Sequence, residues 1–164
     1  MATLRQRLNE FWHQVRSHWS SDPLEQCRWI KFPSRLHSLS QRPKDQLART
    51  GEDAAIQYLT SRGYIILQRN IRFPEGELDI VAKFENTLIF IEVKTRTTQK
   101  FGQPYEFVTV QKQYRQVAMA RRFMTLCRLQ RATTRFDIVS VVIQPGQLPI
   151  IEHIKSAFLV QDLS

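Results

Sequence analysis

The sequence predicts one α/β domain in which helices flank a mixed central sheet. Three observations support this prediction. A helical apolar stripe precedes the strands, three apolar strand-like runs follow it, and a second helical pattern separates these runs from two later strands. The resulting order α-β-β-β-α-β-β is typical of an α/β domain with a mixed sheet.

The first predicted helix covers residues 45–62. Apolar residues recur along one stripe of this helix up to Leu59, and Gly63 is placed to end it. The later elements, in chain order, are a strand at 64–71, a hairpin at 77–94, a helix at 109–130, and strands at 135–143 and 150–154. A turn at Pro145-Gly146 joins the last two strands.

Residues 1–43 differ in composition from the rest of the chain. All three tryptophans lie there, among several arginines and prolines. Apolar residues at helical spacing predict a short amphipathic helix near residues 3–19. Two interpretations stay open: a basic helix that docks on a membrane surface or a partner, or an appendage that packs on the domain or is partly disordered. The compact domain is predicted to cover residues 44–164.

The composition is strongly basic, with 24 Lys and Arg against 15 Asp and Glu in 164 residues, a formal net charge of +9. Such an excess favours an anionic partner, such as nucleic acid or a membrane surface.

The two cysteines, Cys27 and Cys127, form neither a metal-ligand spacing nor a disulfide framework, which favours a reducing compartment. The chain has no membrane-spanning apolar run and no secretory signal, so the expected location is the cytoplasm.

The predicted hairpin brings two carboxylates together. A tight loop at Glu85-Asn86 sets the pairing of its strands. The opposed pairs are then Phe84–Thr87, Val81–Phe90, Asp79–Glu92 and Glu77–Lys94. Opposed side chains lie on one face, where two acids repel each other and are costly to place on an apolar sheet. A divalent cation bound by both acids relieves this repulsion, so Asp79 and Glu92 are predicted metal ligands.

The ligands predicted for this cation are carboxylate oxygen, backbone carbonyl and water. These hard donors suit Mg²⁺ or Mn²⁺ better than Zn²⁺. A bound cation can polarise a phosphate, and Lys94 is placed to orient or deprotonate water and to stabilise a pentacovalent phosphate. The acids Glu77 and Glu52, the latter on the inward stripe of the first helix, are further catalytic candidates. The plainer alternative is that Glu92 and Lys94 form an ordinary ion pair.

A series of short motifs extends this pattern over about residues 45–160. The motifs are Gly51-Glu52, Arg69-Asn70, Gly76-Glu77-Leu78-Asp79, Phe90 to Arg96, Phe101-Gly102, Lys112-Gln113, Arg135-Phe136-Asp137 and Ala157-Phe158. Together they resemble the YraN-like family of bacterial proteins. That family has a restriction-endonuclease-like fold, belongs to the PD-(D/E)xK nuclease superfamily and is similar to archaeal Holliday-junction resolvases.

The resemblance implies roles for individual residues. Asp79 and Glu92 would bind the metal, Lys94 would assist the attacking water, and Glu52 would supply a further carboxylate. Leu78 stands where the superfamily motif has its proline, at a position that varies.

Basic residues near this site are candidate nucleic-acid contacts. Arg96 and Lys112 are predicted to contact phosphates, and Arg115, Arg121, Arg122 and Arg128 would extend the basic surface. The alternative for the last four is a solvated helix face.

Three functions follow as hypotheses. The first is a Mg²⁺-dependent (or Mn²⁺-dependent) endonuclease that acts on DNA, with branched or structured DNA among its candidate substrates and a homodimer as an open alternative to a monomer. The second is a catalytically silent nucleic-acid-binding module with an endonuclease-like fold. The third is a protein-interaction role for the Trp-rich extension, residues 1–43.

Overall fold

A computed structural model of the protein describes residues 22–32, 43–97 and 109–159. The helix predicted near residues 3–19 and the motif Phe101-Gly102 lie outside these ranges. Within them, no helix combines the length and the apolar character needed to cross a membrane.

The order of elements predicted for the domain is confirmed. A short helix not predicted from the sequence, α1 at Pro23–Gln26, precedes the domain and continues into a 3₁₀ turn at Cys27–Trp29. The remaining elements are α2 Pro43–Ser61, β1 Ile65–Phe73, β2 Gly76–Phe84, β3 Thr87–Arg96, α3 Val110–Leu126, β4 Thr133–Val142 and β5 Ile150–Phe158. Helix α2 ends as predicted, because Gly63 supplies the positive φ, 83°, of the turn that follows it.

The five strands form one mixed sheet in the order β1-β2-β3-β4-β5. Strands β3 and β4 are parallel, because helix α3 crosses over between them, and the other neighbouring pairs are antiparallel. The predicted register of the hairpin is confirmed at Phe84–Thr87 and Val81–Phe90. The arrangement agrees with the restriction-endonuclease-like fold that the motifs implied.

Strand β3 lies at the centre of the sheet and has a buried apolar face on each side. Phe90 belongs to the apolar cluster that includes Phe123 of α3, whereas Ile89 and Ile91 belong to the cluster that includes Leu59 of α2. The β3 side chains are buried on both faces, which explains why β3 is apolar on consecutive residues up to Glu92. The last residues of β3 therefore emerge between two covering helices.

Residues 22–32, which fall in the predicted extension, pack against the domain. Leu24 and Cys27 are buried in the α3-side cluster, and the ring of Phe32 stacks on Phe123 with centroids 5.0 Å apart. The side-chain amide of Gln68 donates to the carbonyl oxygens of Cys27, at 2.7 Å, and Ile30, at 2.9 Å. Of the interpretations left open for the extension, packing on the domain describes this part.

Strand β5 is longer than the sequence suggested, and a buried ionic network anchors it. Asp137 of β4 accepts two hydrogen bonds from Arg135, at 2.8 and 2.7 Å, and one from the backbone N–H of Ser156, at 3.0 Å. His153 Nε2 lies 2.9 Å from the same carboxylate. The network sits at a register shift centred on Asp137, where its bonds replace regular strand pairing.

Candidate functional site

The site forms where β2 and β3 stop pairing. Their ladder ends at Ile80 and Ile91, so the predicted direct pairings of Asp79 with Glu92 and of Glu77 with Lys94 lie beyond its last rung. Instead, Asp79 Oδ2 accepts a hydrogen bond from the backbone N–H of Val93 at 2.8 Å. The carboxylate thus takes the place of a backbone acceptor and separates the two strands at the level of Glu92.

An irregularity in the neighbouring strand accompanies this separation. Asn70 of β1 lies level with Asp79 and adopts φ 54°, in the left-handed region that asparagine tolerates better than most residues. Strict alternation would place Leu78 and Val81 on opposite faces of β2, yet both pack in the α3-side cluster. Strand β2 therefore turns about its own axis around Asp79, which brings that side chain to the end of the sheet.

Glu92 is buried, and both of its carboxylate oxygens are engaged. Lys94 Nζ lies 2.7 Å from Oε1, and Lys112 donates to the same oxygen. The side-chain amide of Gln116 donates to Oε2 at 2.7 Å. Three donors from β3 and α3 therefore fix the orientation of one acid, which meets the requirement that a buried charge be paired.

The two acids have opposite pKa shifts. The pKa of Asp79 is raised to about 8, mainly by burial and by the negative charge of Glu92, with a smaller contribution from Glu52. The hydrogen bond from the Val93 N–H and the charge of Lys112 act in the opposite direction. Burial also raises the pKa of Glu92, but the Lys94 charge and the Lys112 hydrogen bond outweigh it, so the net shift is downward. The surroundings therefore favour the protonated form of Asp79 and the ionised form of Glu92.

The two lysines differ as well. Burial lowers the pKa of Lys94, but its contact with Glu92 outweighs this effect and the net pKa is raised, so Lys94 stays an ammonium. Burial lowers the pKa of Lys112, and the neighbouring Lys94 lowers it further, so that the bond to Glu92 does not restore the ordinary value. Of the two lysines that contact Glu92, Lys112 is therefore the one whose charged form is less favoured.

A cleft on the α2 side collects the predicted catalytic and metal-binding residues. Glu52, Glu77, Asp79, Glu92 and Lys94 all line it. The proximity of Glu52 is also evident from its effect on the pKa of Asp79. The structure thus places in one cleft acids that are up to 40 positions apart in the chain.

Gly51 permits this assembly by letting α2 approach β3 closely. A Cβ atom at position 51 would lie 1.9 Å from Oγ1 and 2.7 Å from Cβ of Thr95. Neither distance is tolerable, and the second involves an atom that no rotation of the Thr95 side chain can remove. Only glycine allows the helix to lie here and to hold Glu52, the next residue, beside the sheet end.

A second cleft, on the α3 side, opens onto the same acids. Lys112 and Arg115 line it together with Glu77, Asp79 and Glu92. Arg115 is exposed, as are Arg121, Arg122 and Arg128 farther along. Arg96, the remaining predicted phosphate contact, lies at the end of β3 and is absent from the described lining of both clefts.

The donor atoms suit a hard divalent cation. One oxygen of Glu77, Oε1, is buried and has no hydrogen-bond partner, so it retains coordinating capacity toward the clefts. Within residues 22–32, 43–97 and 109–159, no three His, Cys, Asp or Glu side chains converge as a ligand group. The predicted ligands, the carboxylates of Asp79 and Glu92, line both clefts. Mg²⁺ is bound in this way, by one or two carboxylates together with several waters.

Some site residues were not predicted from the sequence. Gln116 lies one helical turn beyond Lys112 on the buried face of α3, next to Val117 and Ala120. A polar residue within an apolar helix stripe is the signal that could have identified it. Asn70 was noticed only as part of a motif, because nothing local to it predicts a left-handed conformation opposite Asp79.

Comparison with known proteins identifies the family. Residues 51–141 match the sequence model of "Uncharacterised protein family UPF0102". A UPF0102 protein of Caldanaerobacter subterraneus is 38% identical over 117 residues, which cover 70% of this chain and 96% of the relative. Those of Bacteroides thetaiotaomicron and Syntrophotalea carbinolica are 44% and 45% identical, over 70% and 68% of this chain and 93% and 90% of the relatives. The chain belongs to the UPF0102 family, the YraN-like group whose motifs the sequence carries.

Proposed function

We propose that the protein is a metal-dependent nuclease that hydrolyses phosphodiester bonds in DNA. The observation that carries the proposal is the divergence of β2 from β3 at Asp79, which leaves its carboxylate beside that of Glu92 in a cleft that also contains Lys94. Two acids and a lysine lie at the open end of a sheet, in a chain of net charge +9. This combination suits hydrolysis of a polyanionic substrate such as DNA.

Asp79 and Glu92 would hold Mg²⁺ or Mn²⁺. When bound, such a cation polarises a phosphate oxygen and lowers the pKa of coordinated water. The raised pKa of Asp79 supports this assignment, because a carboxylate that is hard to ionise beside Glu92 becomes easier to ionise when positive charge is added. Glu77, with its unpartnered oxygen, and Glu52 surround this position without themselves completing a ligand group.

Lys94 acts in this proposal as a charged donor. Its pKa is raised, so at neutral pH the side chain keeps its proton and is a poor base. An ammonium 2.7 Å from Glu92 Oε1 can orient a water molecule and stabilise the negative charge that develops on a pentacovalent phosphate. Of the two roles expected for Lys94, orientation and charge stabilisation therefore agree with its surroundings, whereas removal of a proton from water does not.

Lys112 and Arg115 supply the basic wall of the second cleft. Lys112 donates to Glu92 in the absence of a cation, and its lowered pKa means that its charged form is less favoured than that of Lys94. Arg115 is exposed on the same helix and free to approach a phosphate. Because both clefts open onto Asp79 and Glu92, a DNA backbone that follows the α3 side reaches the acids.

The test is cleavage of a panel of linear, nicked and four-way DNA by the purified full chain with Mg²⁺ or Mn²⁺. Asp79→Ala and Lys94→Ala should each reduce the rate by at least about 100-fold. Lys155→Ala is the matched control, because Lys155 lies over the Phe84 ring at the hairpin end of the sheet and lines neither cleft. Equal cleavage by Asp79→Ala and wild type would mean that a contaminant cuts the DNA.

A silent nucleic-acid-binding module remains a second candidate because one observation favours it. Glu92 already has a donor on each oxygen, so the site is electrostatically satisfied without a cation. This alternative predicts DNA binding that weakens steeply with salt and is not strengthened by Mg²⁺, with no cleavage of any substrate in the panel. Cation-dependent cleavage that Asp79→Ala abolishes would exclude it.

A further inference from the structure

A cavity of about 730 Å³ lies at the hairpin end of the sheet, away from the two clefts. It is enclosed by α1, by the hairpin loop at Asn86 and by the connection from α3 to β4, residues 128–133. Pro23 and Leu24 of α1 form part of its wall, so the packing of α1 on the domain helps to build it. Its volume is in the range of ligand-binding sites, about 300–1,000 Å³.

The charges around this cavity suit an anion. Among the described residues that line it, two are charged, Arg128 and Arg131, and both are exposed cations. The acids beside the lining residues of α1 are engaged by a lysine, since Asp22 and Glu25 lie 2.6 and 3.0 Å from Lys83 Nζ. The cavity therefore presents positive charge without a lining acid among the described residues.

Arg128 has a backbone conformation that disfavours arginine. Its φ of 57° is left-handed, and it follows the C-cap of α3. The Leu129 N–H donates to the carbonyl oxygen of Met124 at 2.7 Å, and the Arg128 N–H donates to that of Thr125 at 3.2 Å. Glycine is the usual residue at this position of such a helix end, because a Cβ atom is unfavourable there. An arginine at this position indicates a role for the side chain beyond ending the helix.

Helix α3 connects this cavity to the acids. Its 17 residues span about 25 Å, from the cleft lined by Lys112 and Arg115 to the cavity lined by Arg128. Arg121 is exposed between the two ends. Residues 107–136 contain seven Lys or Arg and no Asp or Glu, so the helix contributes no negative charge to this path. At 3.4 Å per nucleotide, the span corresponds to about 7 nucleotides of a DNA strand.

We propose that the cavity is a second phosphate-binding site, in which Arg128 and Arg131 hold the backbone of the DNA substrate about 7 base pairs from the bond that is cleaved. Guanidinium groups bind phosphate through paired N–H donors. A free nucleotide offers the same phosphate chemistry, but the acid-free helix that leads to the cavity favours a polymer. The inference rests on the proposed function in taking DNA as the substrate, and its test uses binding alone.

The experiment measures binding of the full chain to duplex stems of about 6 and about 12 base pairs, closed by a non-nucleotide linker, by fluorescence anisotropy without a divalent cation. The shorter stem spans about 20 Å and cannot reach both sites at once. For the longer stem, the slope of log affinity against log salt should be smaller in magnitude by about 2 in the double variant Arg128→Gly, Arg131→Ala than in wild type. For the shorter stem the two slopes should agree.

Two controls separate this result from a folding defect and from a general loss of charge. Arg128→Gly should melt no lower than wild type, because glycine adopts the left-handed conformation without strain, and Arg128→Asn serves if glycine loosens the helix end. Arg62→Ala removes a cation that does not line the cavity, so its slope should equal that of wild type for both stems.

Three outcomes would overturn the second site. They are equal slopes for wild type and the double variant on the longer stem, an equal loss of slope on both stems, and calorimetric binding of free deoxyadenosine monophosphate that the double variant loses. The last outcome would assign the cavity to a free nucleotide. Binding as expected to DNA that the protein never cuts would support the second site and overturn only the proposed nuclease.

Discussion

Asp79 Oδ2 accepts a hydrogen bond from the backbone N–H of Val93 at 2.8 Å. Asp79 lies one residue beyond Ile80, where the pairing of β2 with β3 ends. This hydrogen bond satisfies an N–H group that the ladder leaves open, and it fixes the carboxylate next to Glu92. The cost is a half-buried carboxyl group near other acids, with a pKa of about 8. Conformational constraint and unfavourable charge at one residue are typical of functional sites.

Asp79→Asn should stabilise the cation-free protein at alkaline pH. The folded pKa of Asp79 lies above the ordinary value of 3.8, so the folded state holds this proton more tightly and wild-type stability falls as pH rises from about 4 to about 8. Asparagine keeps an acceptor for Val93 but has no proton to lose. With a chelator present, we expect a melting temperature at least about 3 °C above wild type at pH 8 and a negligible difference near pH 4. A variant less stable at every pH would contradict the raised pKa.

Gly51→Ala should destabilise the protein and displace Glu52. The added methyl group would overlap Thr95, and the expected loss is about 1–3 kcal/mol in the free energy of unfolding. Urea denaturation measures this loss. The paired control is Thr95→Gly, which removes the obstructing atoms: Gly51→Ala should cost much less in the Thr95→Gly background. Equal costs in both backgrounds would show that the close approach of α2 and β3 does not limit stability.

Gln116→Leu should weaken cation binding. Gln116 holds Glu92 Oε2 at 2.7 Å, and loss of a residue that orients a metal ligand costs about 10–100-fold in metal affinity. Titration calorimetry with Mn²⁺ measures the affinity directly, without a nucleic-acid substrate. Gln130→Leu, an exposed position beyond the far end of α3, is the control. Unchanged Mn²⁺ affinity in Gln116→Leu would argue that Glu92 is not a ligand.

Arg115→Ala should weaken binding to a similar extent for all DNA sequences. Arg115 is exposed in the α3-side cleft, where a phosphate contact would release one counterion. The slope of log affinity against log salt should fall in magnitude by about 1, as measured by fluorescence anisotropy without a divalent cation. Arg62→Ala is the control, because Arg62 stacks on Tyr58 at the end of α2 and lines neither cleft. If the slope of log affinity against log salt were the same in Arg115→Ala and wild type, Arg115 would not contact a phosphate.

Asp137→Asn should destabilise the fold without any direct effect on the clefts. Burial raises the pKa of Asp137, but the bonds from His153 and Arg135 outweigh it and the net pKa is lowered. A carboxylate with a lowered folded pKa stabilises the protein above its ordinary pKa, and this contribution is lost as pH falls through the folded value. The expected cost is about 3 kcal/mol at pH 7, shrinking below about pH 4, by urea denaturation. A cost independent of pH would point to packing rather than charge.

The sequence by itself determined the order of elements, the hairpin register and the acids of the site. Alternating apolar residues and a tight loop at Glu85-Asn86 act locally, so the pairing from Phe84–Thr87 to Val81–Phe90 follows from a few adjacent positions. The acids were recognised because charges at the end of apolar strands are costly and need a reason. For this reason the sequence predicts Asp79 and Glu92 as site residues, but it does not predict how their carboxylates are oriented.

Only the tertiary structure decided how these residues meet. Three features depend on segments that are distant in the chain: the left-handed conformation of Asn70 opposite Asp79, the close approach of α2 to β3 at Gly51, and the hydrogen bond from Gln116 to Glu92. Each depends on packing between helices and sheet, which fixes distances that no local pattern encodes. Sequence periodicity specifies the face on which a side chain lies, whereas the packing of whole elements specifies its neighbours.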